Sequence, residues 1–256
     1  MRSVSATKRR QRKGARIKYV YCIIPEIHET SFGKIGIDGE DVYTINFKEI
    51  AAVVSDASQQ EYEILDHGIA HQKVVESIVK KYAAIPMGFG QVAPEDDIKA
   101  LLSRNYLTIR KSFEKIEGKK ELGLKILWNM EKALVEISNT SDRVRLLKKH
   151  VAHLPESRSY KTKIELGKAI AQELARRGDN IAENVVEQLG CLADEVKINN
   201  NFSDEMILNA AFLVKSDNED NFDEAVDALE MVYGDQVRFN YVVSPPYNFI
   251  DFKIRR

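Results

Sequence analysis

Three observations predict a two-domain α+β fold. Apolar residues recur with period two in short blocks and with helical period in longer ones. In the first half, strands and helices segregate rather than alternate regularly. From residue 119 onward the blocks read β-α-β-β-α-β, the order of a ferredoxin-like domain. A chain of 256 residues with 44% hydrophobic and 30% charged residues can bury two ordinary cores without disulfides.

The first block, Lys18 to Ile24, puts Tyr19, Tyr21 and Ile23 on one face and Val20, Cys22 and Ile24 on the other. Both faces are apolar, which predicts a central strand. Residues 33–38 and 41–46 flank an Asp38-Gly39 turn signal and predict a hairpin. Residues 50–54 supply another buried strand. From Glu61 to Tyr82 the period becomes helical, with Ile64, Ala70, Val74, Val75, Ile78 and Val79 as the apolar stripe. A strand-turn region at residues 85–90 follows. Pro94 and the acids after it begin a helix ending near Gly118, with Ile98, Leu101, Leu102, Leu107 and Phe113 on its buried side.

The domain boundary is placed at Gly118-Lys119-Lys120, giving a first domain of residues 18–118 and a second of 119–256. Within the second, strands are predicted at 122–130, 195–200, 206–215 and 236–243. Helices are predicted from 141 to 196, interrupted at Pro155 and near Gly178, and from 218 to 233. The prolines Pro245 and Pro246 stop the last strand and begin an extended segment.

The net charge of −1 conceals an asymmetry. Residues 1–18 hold eight Lys or Arg and no acid, leaving 30 basic against 39 acidic residues in 19–256, a net of −9. Residues 1–17 are read as a disordered basic tail. Its charge also suits phosphates, although the interleaved aromatics used in single-strand binding are missing there. Cys22 and Cys191 form no Cys-x-x-Cys pair and lie in apolar stretches, so burial is expected for both. No run approaches the roughly 18 apolar residues of a membrane span, and a cytoplasmic protein is expected.

Motifs that carry chemistry are sparse. No Gly-x-x-x-x-Gly-Lys-Ser/Thr loop occurs, and Met87-Gly-Phe-Gly90 has the wrong spacing for a dinucleotide turn. His67 and His71 stand four apart on a predicted helix, where they could share a metal with Glu63 or Asp66. Those residue types are equally at home on an exposed helical face. His150 and His153 make a weaker pair. No serine elbow or isolated carboxylate pair stands out, so neither a catalytic residue nor a cofactor nor a metal site is predicted, and the chain is not read as an enzyme.

Four separated places carry a resemblance: Lys18-Tyr-Val-Tyr-Cys-Ile-Ile24 with Glu49-Ile-Ala-Ala-Val-Val-Ser55; Ala84-Ile-Pro-Met-Gly-Phe-Gly-Gln91; Glu121-Leu-Gly-Leu-Lys125; and Asn209-Ala-Ala-Phe-Leu-Val214 with Ser244-Pro-Pro-Tyr-Asn-Phe249. In that order they resemble the gas vesicle protein F/L family, accessory proteins of gas-vesicle assembly. The family's Tyr-Gly pair, Pro-x-Arg-Phe-Gly-Thr turn and Gly-Pro-Trp-Pro-Pro-Tyr-x-Phe end are represented by Tyr21-Cys22, residues 86–91 and residues 242–249. The arginine and the tryptophan of those motifs are replaced.

The resemblance implies a distinct first domain and a modified ferredoxin-like second one. It also implies a non-catalytic, chaperone-like role in which the chain binds the hydrophobic major shell protein or other accessory proteins. Phe89, Pro245, Pro246, Tyr247 and Phe249 are the site residues it singles out, either for partner binding or for tying the domains together. The alternative is a nucleic-acid-associated protein using the basic tail. Such a sheet would expose aromatics on its central strands, where this chain offers Trp128 and Phe212.

Overall fold

The computed structural model describes residues 17–25 and 31–250. Apart from Ile17, the predicted basic tail lies outside these residues. The described chain forms two compact units. One contains the residues up to Glu117 together with those from Pro245 onward; the other spans Gly118–Ser244. The closing segment therefore groups with the first unit, whereas the sequence reading carried the second domain through residue 256.

In the first unit β1 (Ile17–Pro25) is central, as its doubly apolar pattern predicts. It pairs antiparallel with β4 (Ile50–Asp56) on one side, and on the other with β5 (Ile85–Pro86) and β6 (Val92–Pro94). β3 (Val42–Phe47) joins β4 through a tight turn at Lys48-Glu49, and β2 (Ser31–Gly33) lies at the edge. The expected strand at residues 33–38 is replaced by β2 and a 3-10 turn, with Asp38 and Gly39 at φ 58° and 76°. Gly36 is fixed by close approach: a Cβ there would lie 2.7 Å from the Glu40 carbonyl oxygen and 3.0 Å from the Tyr21 hydroxyl.

A helix packs on each face of this sheet. α1 (Ile64–Val79) sends Val74, Val75 and Ile78 against Tyr19, Tyr21, Cys22 and Ile24. α2 (Glu95–Ile116) sends Ile98, Leu102, Ile109 and Phe113 against Val20 and Ile23. These sets differ from strict alternation because β1 bulges between Val20 and Cys22. The extra residue turns Tyr21 and Cys22 toward the same helix and moves Ile23 to the other face. Ile64 and Leu107, both expected in the core, are 63% and 74% exposed.

In the second unit β7 (Lys119–Trp128), β8 (Glu195–Ile198), β9 (Met206–Lys215) and β10 (Val237–Ser244) form an antiparallel sheet in the order β10-β7-β9-β8. Numbered within the unit, that order is 4-1-3-2, which is compatible with the ferredoxin-like arrangement. Three helices connect β7 to β8: α3 (Met130–Thr140), α4 (Asp142–His153) and α5 (Glu156–Gly190). α6 (Glu219–Tyr233) connects β9 to β10. α3 was not predicted; the Asn129 side chain caps it by accepting from the Lys132 N–H. The break at Pro155 is present. Gly178 does not interrupt α5, whose C-terminal half is fixed to the sheet by Ile181, Val185 and Leu189.

Candidate partner-binding site

The five residues singled out from the sequence all fall in the first unit, and β1 organises their surroundings. Tyr19 and Tyr21 are fully buried. Burial of a phenol requires a partner for its hydroxyl. The Gly90 N–H donates to the Tyr19 hydroxyl at 2.9 Å, and that hydroxyl lies 3.0 Å from His71 Nδ1. With its oxygen accepting from Gly90, Tyr19 donates its proton to Nδ1. The other side of the imidazole faces the Met87 carbonyl. The Tyr21 hydroxyl meets Ser55 Oγ at 2.9 Å and accepts from the Ile37 N–H, also at 2.9 Å.

These bonds pin the 87–91 turn to β1. The Met87 N–H donates to the Tyr21 carbonyl and the Val20 N–H to the Gln91 carbonyl, on either side of Phe89. The Phe89 ring, half-buried, meets Tyr19 and His71 edge-on with centroids 6.2 and 5.8 Å away. Burial holds the His71 pKa below its ordinary value, partly offset by the Met87 carbonyl, and pushes both phenols upward. Near neutral pH the network is uncharged, so its chemistry is positional: it holds a loop.

The closing segment shows a division of labour. Pro245, Pro246 and Phe249 are buried, whereas Tyr247 is 46% exposed. The Tyr247 N–H donates to the Pro245 carbonyl at 2.7 Å, closing a tight turn around Pro246. Phe249 has the Lys115 ammonium 5.8 Å from its ring centre, and the next residue, Ile250, packs on the core beneath α2. Burial raises the Tyr19 pKa, and Tyr247 adds a smaller electrostatic contribution in the same direction. Phe89 is thus a neighbour of Tyr19, while Phe249 belongs to the α2 side.

His67 and His71 do not converge. His71 turns inward to Tyr19, while His67 lies against the Glu63 carbonyl and 3.5 Å from Asp38 Oδ1. Among the described residues no group of three or more His, Cys, Asp or Glu could hold a metal ion. The sequence reading missed the role of His71, although its place four residues before Val75 on the apolar stripe was a usable signal. Cys22 is buried as expected, but Cys191 is exposed. Trp128 and Phe212, the rings considered for base stacking, are 8% and 0% exposed and face the core beneath α5 and α6.

Comparison with known proteins adds a consistent result. Residues 17–251 match the family model for gas vesicle synthesis protein GvpL/GvpF. Gas vesicle protein F of Dolichospermum flosaquae is 26% identical over 238 residues, covering 90% of this chain and 96% of that protein. Gas vesicle protein F1 of Halobacterium salinarum is 29% identical over 243 residues, covering 92% and 93% respectively. The crystal structure of GvpF from Anabaena sp. PCC7120 superposes with a TM-score of 0.80 at 26% identity, covering 93% of this chain and 99% of that one. GvpF from Microcystis aeruginosa gives a TM-score of 0.74 at 25% identity, covering 92% and 99%. No helix among the described residues is long and apolar enough to cross a membrane.

Proposed function

The chain belongs to the gas vesicle synthesis protein GvpL/GvpF family, and from that premise we propose that it is a non-catalytic assembly factor acting by stoichiometric binding. Its partners are the hydrophobic shell subunit, other accessory proteins, or both, and it works in the cytoplasm at gas vesicles. The observation that carries this reading is the family match along residues 17–251. The physical need is plain: an unassembled shell subunit exposes apolar surface and strand edges that pair indiscriminately unless a folded partner covers them.

Within the candidate site, Tyr247 is the contact residue. Pro245, Pro246 and Phe249 hold its backbone, and the turn carrying Phe89 supports the adjoining surface. A half-exposed aromatic ring on a clamped backbone offers apolar area at low entropic cost, which makes tyrosine effective at interfaces.

The test is co-expression with a cognate shell subunit followed by purification in low and high salt. The subunit is expected to stay soluble and to co-purify, with retention in high salt because apolar association is not screened. Failure to associate with the shell subunit and with every accessory partner would contradict the proposal.

A further inference from the structure

The second unit carries two surfaces of opposite charge, each with an apolar centre. The first is a cleft of about 760 Å³ where Trp128 and Met130 meet the end of α6. Met231 on its wall is 83% exposed, and the neighbouring Val232 is 73% exposed. Its rim carries Glu205, Asp227 and Glu230, none of which forms an ion pair among the described residues. Asp235 is paired with Lys132, and Arg238 is the cleft's cation.

The second surface is the helical hairpin of α4 and the start of α5. Residues 142–168 contain eight Lys or Arg against three acids, a net of +5 in a chain body that is otherwise acidic. Lys161, Lys163 and Lys168 are exposed and form no ion pair among the described residues. Tyr160 and Ile164, four residues apart on one face of α5, are 72% and 42% exposed between these lysines.

The two surfaces cannot meet within one copy. A Cβ at Gly178 would lie 3.6 Å from Trp128, which places the cleft's tryptophan beside the middle of α5. Tyr160 lies eighteen residues earlier on the same uninterrupted helix, about 27 Å along its axis. A continuous helix fixes that separation, so the cationic end of α5 is too far away to fill its own cleft.

We infer that the cationic α4–α5 end of one copy, centred on Tyr160 and Ile164, docks in the acidic, methionine-walled cleft of a second copy. The Tyr160 ring and the Ile164 side chain meet the cleft floor, while Lys161 and Lys168 face Asp227 and Glu230. The contact is heterologous: each copy uses a different surface and leaves one of each available, so association is head-to-tail and extends with concentration. The inference stands independently of shell binding, since both surfaces belong to the second unit.

The experiment uses the full chain. Sedimentation velocity over a concentration series at low salt is expected to show mass rising with concentration, and added salt should weaken association roughly tenfold or more. Trp128, the chain's only tryptophan, should change its fluorescence over the same range. Reversing the arm (Lys161→Glu with Lys168→Glu) or the cleft (Asp227→Lys with Glu230→Lys) should each abolish self-association. An equimolar mixture of the two variants should restore it, because the reversed arm fits the reversed cleft. That restoration also shows both variants to be folded.

A chain that stays monomeric at every concentration overturns the inference. So does association that ignores both reversals, or reversed variants that do not associate on mixing. Association lost on neutralising Lys8, Arg9, Arg10, Arg12 and Lys13 but kept by the arm variant would assign the cleft to the basic tail and equally overturn it.

Discussion

The two units employ their polar groups in opposite ways. In the first, Tyr19, Tyr21, Ser55 and His71 are buried and joined to one another or to backbone, and the result is a fixed turn around Phe89. In the second, Glu121 is buried and accepts from Ser244, but most charges lie at the surface, and several in the cleft and on the hairpin have no ionic partner among the described residues. Buried polar groups are costly when unpaired, so they specify structure; exposed charges contribute little to stability and remain available for recognition. Substitutions in the first unit should therefore register in unfolding, and those on the surface in binding.

The largest effect on stability is expected from Phe249→Ala. Removing a nearly fully buried ring beside α2 should cost about 3–5 kcal/mol, read as a lower denaturant midpoint. A change below about 1 kcal/mol would show that the closing segment is not part of the first core. Next comes Tyr19→Phe, which leaves the Gly90 N–H and His71 Nδ1 without their shared partner and should cost about 1–3 kcal/mol. Hydrogen exchange at Gly90 should quicken along with the loss.

His71 supplies a pH signature for the buried network. Its folded pKa is depressed from 6.5 by burial, so below that value the unfolded chain binds more protons than the folded one. Its contribution is complete above about pH 6.5 and declines as the pH falls through and below it. Replacing it (His71→Gln) should flatten the drop in thermal midpoint between about pH 7.5 and 5.5. An undiminished drop would assign the dependence to other groups.

Glu173 tests the surface rule at a smaller scale. Hydrogen bonds from Arg176 and Arg177 hold its carboxyl down to about 2, and Arg177 also reaches Glu136 and Thr140 on α3. That stabilisation is present above its ordinary pKa of 4.5 and is lost as pH falls toward about 2. Glu173→Gln should cost no more than about 1 kcal/mol at neutral pH, with the difference vanishing in acid. Tyr247→Ala should cost about 1 kcal/mol in unfolding, well below Phe249→Ala, because its ring is half-exposed where that of Phe249 is buried.

Much of the fold was legible because burial leaves periodic traces. β1 reads as central from apolar residues on both faces, and the strand and helix order after Gly118 follows from pattern switches and the Pro155 break. The bulge in β1 was not legible: one inserted residue leaves composition unchanged yet moves Cys22 and Ile23 to opposite faces from those expected. α3 was hidden because Asn129 and Met130 look like the end of a strand as readily as a cap and first turn. In the site, the sequence marked Phe89 and the residues from Pro245 to Phe249. It could not separate buried Phe249 from half-exposed Tyr247, because two aromatics two apart give no sign of which one the chain's return path encloses. His71 was visible as a histidine but read beside His67, although one faces the core and the other Asp38.

The central proposal is stoichiometric binding, and a solubility titration tests its shell-subunit form most directly. A fixed amount of shell subunit is diluted from denaturant into rising amounts of the chain, and the subunit left in solution is measured. A linear rise to a plateau at a fixed ratio of chain to subunit is expected, with the Tyr247→Ala variant rising less while remaining folded under the conditions of the titration. Subunit that precipitates to the same extent at every ratio, or that is kept soluble by trace amounts of the chain, would contradict it.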